Sequence, residues 1–292
     1  MQTIHTVDEL RAQLHAWRSG GERIALVPTM GNLHDGHIAL IRRARQLAAR
    51  VVATIFVNPL QFDRAEDLSA YPRTLEQDSD RLIMAGTDLL FAPSEIEVYP
   101  RGREGVTRVE VPGITTLLEG EHRPGHFVGV ATVVCKLFNM VRPDLAVFGE
   151  KDFQQVRVIE RMNDDLDMGV QIIVEPTVRE GDGLAMSSRN GYLTREERAR
   201  APGLYQTLLE VSLRLQSGEQ DQRGLERAAA ERLSERGFRP EYVAIRRASD
   251  LNSPAADDTD LVILAAAWLG RARLIDNIPL KIPRLAGLPA GD

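Results

Sequence analysis

Along the first 175 residues, short runs of β-branched and apolar residues alternate with stretches whose apolar positions recur at helical spacing. "RIALVPT" (23–29), "VVATIFVN" (51–58), "TDLLFAP" (87–93), "DLAVFGE" (144–150) and "VQIIVEPT" (170–177) read as strands. Between them, "HIALIRRARQLAAR" places Ile38, Leu40, Ile41, Ala44 and Leu47 on one helical face. Further helices are predicted near 74–85, through "GVATVVCKLFNMV", and from Phe153 to Leu166. Strands alternating with helices imply a parallel sheet covered on both faces, a doubly wound, Rossmann-like α/β domain over residues 1–175. In such sheets ligands bind beyond the carboxyl ends of the strands.

After residue 177 the pattern changes. "LTREERARAPGLYQTLLEVSLRLQSG" and "QRGLERAAAERLSERG" read as two amphipathic helices, with Pro202 near enough to the start of the first to be tolerated. "PEYVAIRRAS" and "LVILAAAWLGRARLIDNIPL" follow as strands with a turn at Gly270. The order predicts a smaller C-terminal α+β domain over 176–292, with "LNSPAADDTD" a loop and "RLAGLPAGD" a frayed tail.

Composition narrows the class without naming a function. The 292 residues carry a net charge of −6, which gives no reason to expect a nucleic-acid partner. The longest apolar run, "LVILAAAWL", is too short to span a bilayer. The start, "MQTIHTVDELRAQ", lacks a basic segment followed by an apolar one, so no signal peptide is expected and a cytoplasmic protein is the default. The single cysteine, Cys135, excludes an intramolecular disulfide and reads as a small buried hydrophobe. Among 36 basic residues only Lys136, Lys151 and Lys281 are lysines, which singles out each compact ammonium charge.

The stretch most suggestive of chemistry is "VPTMGNLHDGHIAL" (27–40), where a strand passes through a turn into a helix. Such a junction aims backbone N–H groups and the positive helix end at a ligand. Gly31 and Gly36 would let an anion approach, and His34 and His37 lie about one turn apart. A metal would need a third protein ligand, and no cluster supplies one at a familiar spacing, so phosphate binding is favoured over metal or plain packing.

Other polar motifs also fall at strand ends. "FVNPLQF" (56–62) closes the second strand with Asn58, Pro59 and Gln61, whose amide suits a hydroxy acid. In "FGEKDFQQ" (148–155), Gly149 permits close approach, Lys151 brings charge, and Asp152 suits a ribose, Mg²⁺ or a plain helix cap. At least one of Gln154 and Gln155 should face the cleft. The loop "REGDGLAMSSRNGYL" (179–193) offers Met186, Ser187, Ser188 and Arg189 as a phosphate clamp, or simply links the domains. "EGEHRPGHFVGV" (119–130) carries His122, Arg123 and His126, but Pro124 and Gly125 argue against a helical metal pair, leaving a substrate loop or a helix start.

Together "PTMGNLHDGH", "FVNPLQF", "YPRT", "RPGHFVGVATVV", "FGEKDFQQ" and "DGLAMSSRN" closely resemble the pantothenate synthetase (pantoate–β-alanine ligase) family, in that family's order. The histidine motif by itself is shared with the wider nucleotidyltransferase superfamily. Leu60, Asp63 and Arg64 depart slightly from the family pattern around the glutamine loop, whose residues 63–70 could order on binding.

The resemblance implies a two-step ligation of (R)-pantoate and β-alanine through a pantoyl adenylate, with ATP consumed to AMP and pyrophosphate and Mg²⁺ accompanying it. It implies catalytic roles for His37, His34 and Lys151, with His37 a proton donor or a purely electrostatic stabiliser. ATP is expected at Met30, Gly31, Asn32, Leu33, His34, Asp35, Gly36, His37, Gly149, Glu150, Lys151, Asp152, Val178, Met186, Ser187, Ser188 and Arg189. Pantoate is expected at Gln61 and Gln155, β-alanine at Gln61, and a metal or water-mediated contact at Asp78. A homodimer is implied, with the C-terminal domain acting as a lid. Competing readings are another nucleotidyltransferase, which would make no amide, or a non-catalytic nucleotide-binding module.

Overall fold

The computed structural model describes residues 1–62 and 65–283. The chain divides into two compact units, one spanning Met1–Thr177 and the other beginning at Val178. Asp63, Arg64 and the tail from residue 284, given roles above, lie outside the described residues.

In the first unit the strands are β1 (Gln2–Ile4), β2 (Ile24–Thr29), β3 (Arg50–Ile55), β4 (Leu89–Phe91), β5 (Leu145–Gly149) and β6 (Gln171–Glu175). Its helices are α1 (Val7–Ser19), α2 (Asp35–Leu47), α3 (Ala65–Ser69), α4 (Leu75–Met84), α5 (Glu95–Val98), α6 (Glu119–His122), α7 (His126–Val141) and α8 (Phe153–Asp165). The six strands form one parallel sheet in the order β1-β4-β3-β2-β5-β6. From β2 the chain steps outward through β3 and β4, then returns to lay β5 on the other side of β2. That reversal is the topological switch point, where an open α/β sheet leaves a crevice beyond the strand ends. The "MGNLHDGH" turn follows β2 and the "GEKD" turn follows β5, so the two motifs flank the crevice.

The strands lack alternation because both faces are covered. Ala25, Val27, Val51, Ala53 and Leu90 pack against Leu40, Ile41 and Ala44 of α2. Helix α7 is apolar nearly all round, with Val130, Val134, Leu137 and Phe138 buried. Cys135 on that helix is half-buried rather than fully enclosed, and burial raises its thiol pKa.

In the second unit the sheet β7 (Arg239–Arg247), β8 (Asp260–Leu269) and β9 (Ala272–Lys281) is antiparallel in that order. Gly270, at φ +57°, makes the β8–β9 turn. Helices α9 (Arg195–Arg200), α10 (Gly203–Gln216) and α11 (Gln222–Glu235) precede it. Leu204, Leu208 and Val211 of α10 and Leu225 and Leu233 of α11 form a core with Ile245, Ile263 and Ala265 of the sheet. The single helix expected through Pro202 is broken into α9 and α10, because proline cannot donate to the preceding turn and the helix restarts beyond it. No helix among the described residues is long and apolar enough to cross a membrane.

Candidate active site

The β2–α2 turn is built from the inside. Gly31 takes φ +81° and Asn32 φ +51°, so the chain reverses within two residues. This aims the Asn32 and Leu33 N–H groups inward at Asp78 on α4, which accepts them at Oδ2 and Oδ1, both at 2.8 Å. The Thr74 hydroxyl donates to Oδ2 at 3.1 Å. A Cβ at position 31 would sit 3.0 Å from Asp78 Oδ2, so the glycine also makes room for the carboxylate. Asp78 is 2% exposed and spends both oxygens on its own fold, the act of a residue that holds the turn.

The histidines complete the turn in the same manner. His34 caps α2, and its Nδ1 accepts from the Gly36 N–H at 3.2 Å. The His34 N–H in turn donates to His37 Nδ1 at 3.2 Å, a reciprocal capping box made of two imidazoles. Their ring centroids are 4.1 Å apart. A backbone N–H can only donate, so each Nδ1 must be the unprotonated nitrogen. This hydrogen-bond pattern assigns the proton of each neutral ring to Nε2, on the edge away from the helix backbone. The anion donors expected from the backbone of this turn are therefore largely used within the protein. Among the donors left to a ligand are the two imidazole Nε2–H groups.

Electrostatics keeps both rings neutral. Burial, then the positive charge of Lys151, lowers the His34 pKa to about 4, despite opposition from Asp152 and Asp35. Burial, then His34 and Lys151, lowers His37 to about 3. Lys151 is thus felt at both imidazoles, which ties the "GEKD" turn after β5 to the "HDGH" turn after β2. Asp152 stands at the start of α8 without a side-chain cap bond, so plain helix capping does not account for it. Gly149 is extended, and an added Cβ would find its nearest atom, Leu40 Cδ2, 3.9 Å away.

The glutamine motif is fixed from two sides. The turn Pro59–Gln61 ends β3's exit, and Asn58 Nδ2 donates to Gln61 Oε1 at 3.0 Å and to the Gly129 carbonyl at 3.0 Å. The Gln61 carbonyl accepts from His126 Nδ1 at 2.9 Å and from the Arg123 guanidinium at 3.2 Å. His126 opens α7 with its ring buried, and burial followed by the adjacent Arg123 lowers its pKa to about 4. The second glutamine pair separates cleanly. Gln154 is 3% exposed and bonded to Glu119 N and to the Ile114 and Leu117 carbonyls, a packing role. Gln155 is half-buried, and its side chain makes no hydrogen bond among the described residues.

In the second unit the 178–189 loop is held by a bidentate pair between Arg179 and Asp276, at 2.7 and 2.9 Å, with Arg179 stacked 3.6 Å from the Tyr205 ring centroid. The Met186 N–H donates to the Val178 carbonyl at 3.0 Å, bringing those two positions together. Ser187 caps the following turn through the Arg189 N–H, so one of the expected hydroxyls is partly engaged. The Arg189 side chain is exposed and has no acidic partner among the described residues.

Three desolvated imidazoles have a consequence for stability. Each has its folded pKa lowered below the ordinary value of 6.5, to about 4, 3 and 4 for His34, His37 and His126. Below pH 6.5 the unfolded chain therefore binds protons that the folded one refuses, so their contribution is full above pH 6.5 and declines as pH falls toward 4. Denaturant titrations at pH 7.5, 6 and 5 should show unfolding free energy falling across that window. His126→Asn, which retains a donor toward Gln61, should flatten the slope; an unchanged slope would contradict the assignment.

Among the described residues no group of three or more His, Cys, Asp or Glu side chains could hold a metal ion. Sequence reasoning passed over Tyr99, whose hydroxyl donates to Asn58 at 2.7 Å from 41 positions away; no local pattern marks it.

A family model described as pantoate–β-alanine ligase matches residues 2–279. The pantothenate synthetase of Thioalkalivibrio sulfidiphilus is 67% identical over 283 residues, covering 97% of this chain and 99% of the relative. The crystal structure of pantothenate synthetase from Thermus thermophilus matches with a TM-score of 0.87 at 48% identity, over 95% of this chain and 99% of that one. A crystal structure of the pantoate–β-alanine ligase of Francisella tularensis, complexed with β-γ ATP and β-alanine, matches with a TM-score of 0.78 at 35% identity, over 96% and 97%.

Proposed function

Because the chain belongs to the pantoate–β-alanine ligase family, we propose that the residues around its switch point divide the labour of that ligation. The enzyme is an ATP-dependent ligase that joins pantoate to β-alanine. A pantoate carboxylate oxygen bonds to the α-phosphorus of ATP as the bond to pyrophosphate breaks. The β-alanine nitrogen then bonds to the acyl carbon, AMP departs with the carbonyl–oxygen bond pair, and the amine gives up its proton.

His34 and His37 donate Nε2–H hydrogen bonds to phosphate oxygens, and Lys151 supplies the full positive charge beside them. The observation that carries this reading is the pair of Nδ1 tethers, which leave both Nε2–H groups pointing away from the helix. Met30 to Gly36 shape that wall. Gly149, where an added Cβ would meet only Leu40 Cδ2 at 3.9 Å, and Glu150 to Asp152 border the adenosine. Gln61 and Gln155 hold pantoate, and Gln61 also lies near β-alanine. In the second unit, Val178 and Met186 offer backbone groups, while Ser187, Ser188 and Arg189 take phosphate oxygens.

Mg²⁺, when bound, neutralises phosphate charge. The described residues offer it no dedicated cage, and both Asp78 oxygens are engaged, so phosphates and water would supply most of its ligands. A homodimer in the cytoplasm is the setting that the family resemblance favours.

Supplying ATP with pantoate, with and without β-alanine, and separating the products tests the reading. Pantoate alone should release pyrophosphate in a single turnover, and AMP with pantothenate is expected only when β-alanine is present too. ADP formation, or nucleotide turnover indifferent to pantoate, would overturn it.

A further inference from the structure

The glutamine proposed to hold pantoate sits at the end of a hydrogen-bond relay whose direction is fixed by backbone groups. Asn58 Oδ1 accepts from the Leu60 N–H at 3.3 Å, and only an oxygen can do so. Asn58 Nδ2 lies 3.0 Å from the Gly129 carbonyl, and only a nitrogen can donate there. The asparagine amide therefore has one orientation. Its Nδ2, also 3.0 Å from Gln61, must meet the glutamine's Oε1. Gln61 is left with Nε2, a pair of N–H donors, as the group it presents outward.

Tyr99 locks this arrangement. Its hydroxyl donates to Asn58 Oδ1 at 2.7 Å, shorter than the 3.3 Å bond from Leu60, in a site where the tyrosine is 1% exposed. The ring is held edge-on to Phe56, centroids 5.9 Å apart, so the hydroxyl has little freedom to leave. Burial raises the phenol pKa, which keeps the oxygen protonated and donating at any working pH.

We propose that Tyr99 is a positioning residue for substrate recognition, acting through Asn58 to hold the Gln61 amide with its N–H donors toward pantoate. The proposal rests on Gln61 binding pantoate. It assigns the pantoate group facing Gln61 as an acceptor, a carboxylate or hydroxyl oxygen, and not a donating hydroxyl hydrogen. The tyrosine is buried behind Asn58 and bonded to it, so its effect should appear in pantoate affinity and not in ATP affinity.

The test is a double-mutant cycle of Tyr99→Phe and Gln61→Ala, read as KM for pantoate, KM for ATP, kcat and melting temperature. Tyr99→Phe keeps the ring and removes only the hydroxyl. It should raise KM for pantoate about five- to tenfold, the effect of one buried hydrogen bond, and leave KM for ATP unchanged. In the Gln61→Ala background the same substitution should add less than about twofold. An effect that adds fully on Gln61→Ala, or that raises both KM values alike, would show a merely structural tyrosine and overturn the relay. If Gln61→Ala raises KM for pantoate and Tyr99→Phe alone changes nothing, the relay fails while the glutamine reading stands. If Gln61→Ala itself leaves KM for pantoate unchanged, the reading on which the relay rests is wrong.

Discussion

His37→Ala should slow the adenylation half-reaction by roughly 10²-fold or more, the scale seen when a preorganised donor to developing charge is lost. Release of pyrophosphate from ATP and pantoate in a single turnover measures this directly. The amide-forming step, started from supplied pantoyl adenylate, should lose much less, since the triphosphate has already left. Lys151→Ala should behave alike, because its charge reaches both imidazoles. Equal losses in both half-reactions would point to a damaged fold. The structure also separates two ways in which His37 could act. With a pKa of about 3, roughly one ring in 10⁴ is protonated at pH 7, so an imidazolium proton donor would be scarce. A neutral ring whose Nδ1 accepts from the His34 N–H offers an Nε2–H donor that needs no protonation. His37→Gln, whose amide nitrogen reaches a similar position, should therefore recover part of the rate. Activity equal to that of His37→Ala would favour proton transfer. Loss of the cap between the two histidines should cost only about 1 kcal/mol of stability, so a large drop in melting temperature would disqualify the kinetic comparison.

The sheet was readable from sequence because β2, β3 and β5 are mostly apolar runs, four consecutive residues of each buried without alternation, the pattern required of strands covered on both faces. Strand β1 has only three residues, too few for any periodicity to register. Helix α1 did carry a signal, Thr6 capping Glu9 N ahead of Leu10 and Leu14, but its polar composition hides it. The site divides along similar lines. Two histidines at a strand–helix junction are a local pattern, and local patterns survive in one dimension. The grip of Asp78 on Asn32 and Leu33 spans 46 and 45 residues, so sequence could suggest an acidic side chain there but not what it holds. Gln154 and Gln155 are adjacent in "FQQ", and only the helix rotation of about 100° per residue decides which is buried. The backbone N–H groups of the β2–α2 turn looked free to bind an anion because their internal acceptors come from residues that sequence does not place.

Gly129→Ala should be among the most damaging small substitutions in the first unit, for a reason unrelated to backbone angles. Helix α7 runs so close to the Pro59–Gln61 turn that an added Cβ would collide with the Leu60 carbonyl oxygen, and would lie 2.5 Å from the Leu60 carbonyl carbon and 2.8 Å from Gln61 N. All three atoms are main chain, so no side-chain rotation relieves the clash, and the turn must retreat from the helix. Retreat stretches the Asn58 bond to the Gly129 carbonyl and the His126 bond to the Gln61 carbonyl, two of the ties that place Gln61. The expected stability loss is about 3 kcal/mol, at the upper end for overpacking, with KM for pantoate raised more than KM for ATP. Gly149→Ala provides the contrast. Its Cβ would find nothing of the protein nearer than 3.9 Å, and its φ of −85° suits any residue. That variant should melt within a degree or two of the parent, yet bind ATP more weakly if the nucleotide approaches the backbone there. The two glycines thus make opposite predictions from one chemical change. Gly129 leaves room for the protein's own chain and Gly149 for something the chain does not contain. A stable Gly129→Ala, or a Gly149→Ala that unfolds with ATP affinity intact, would reverse that assignment.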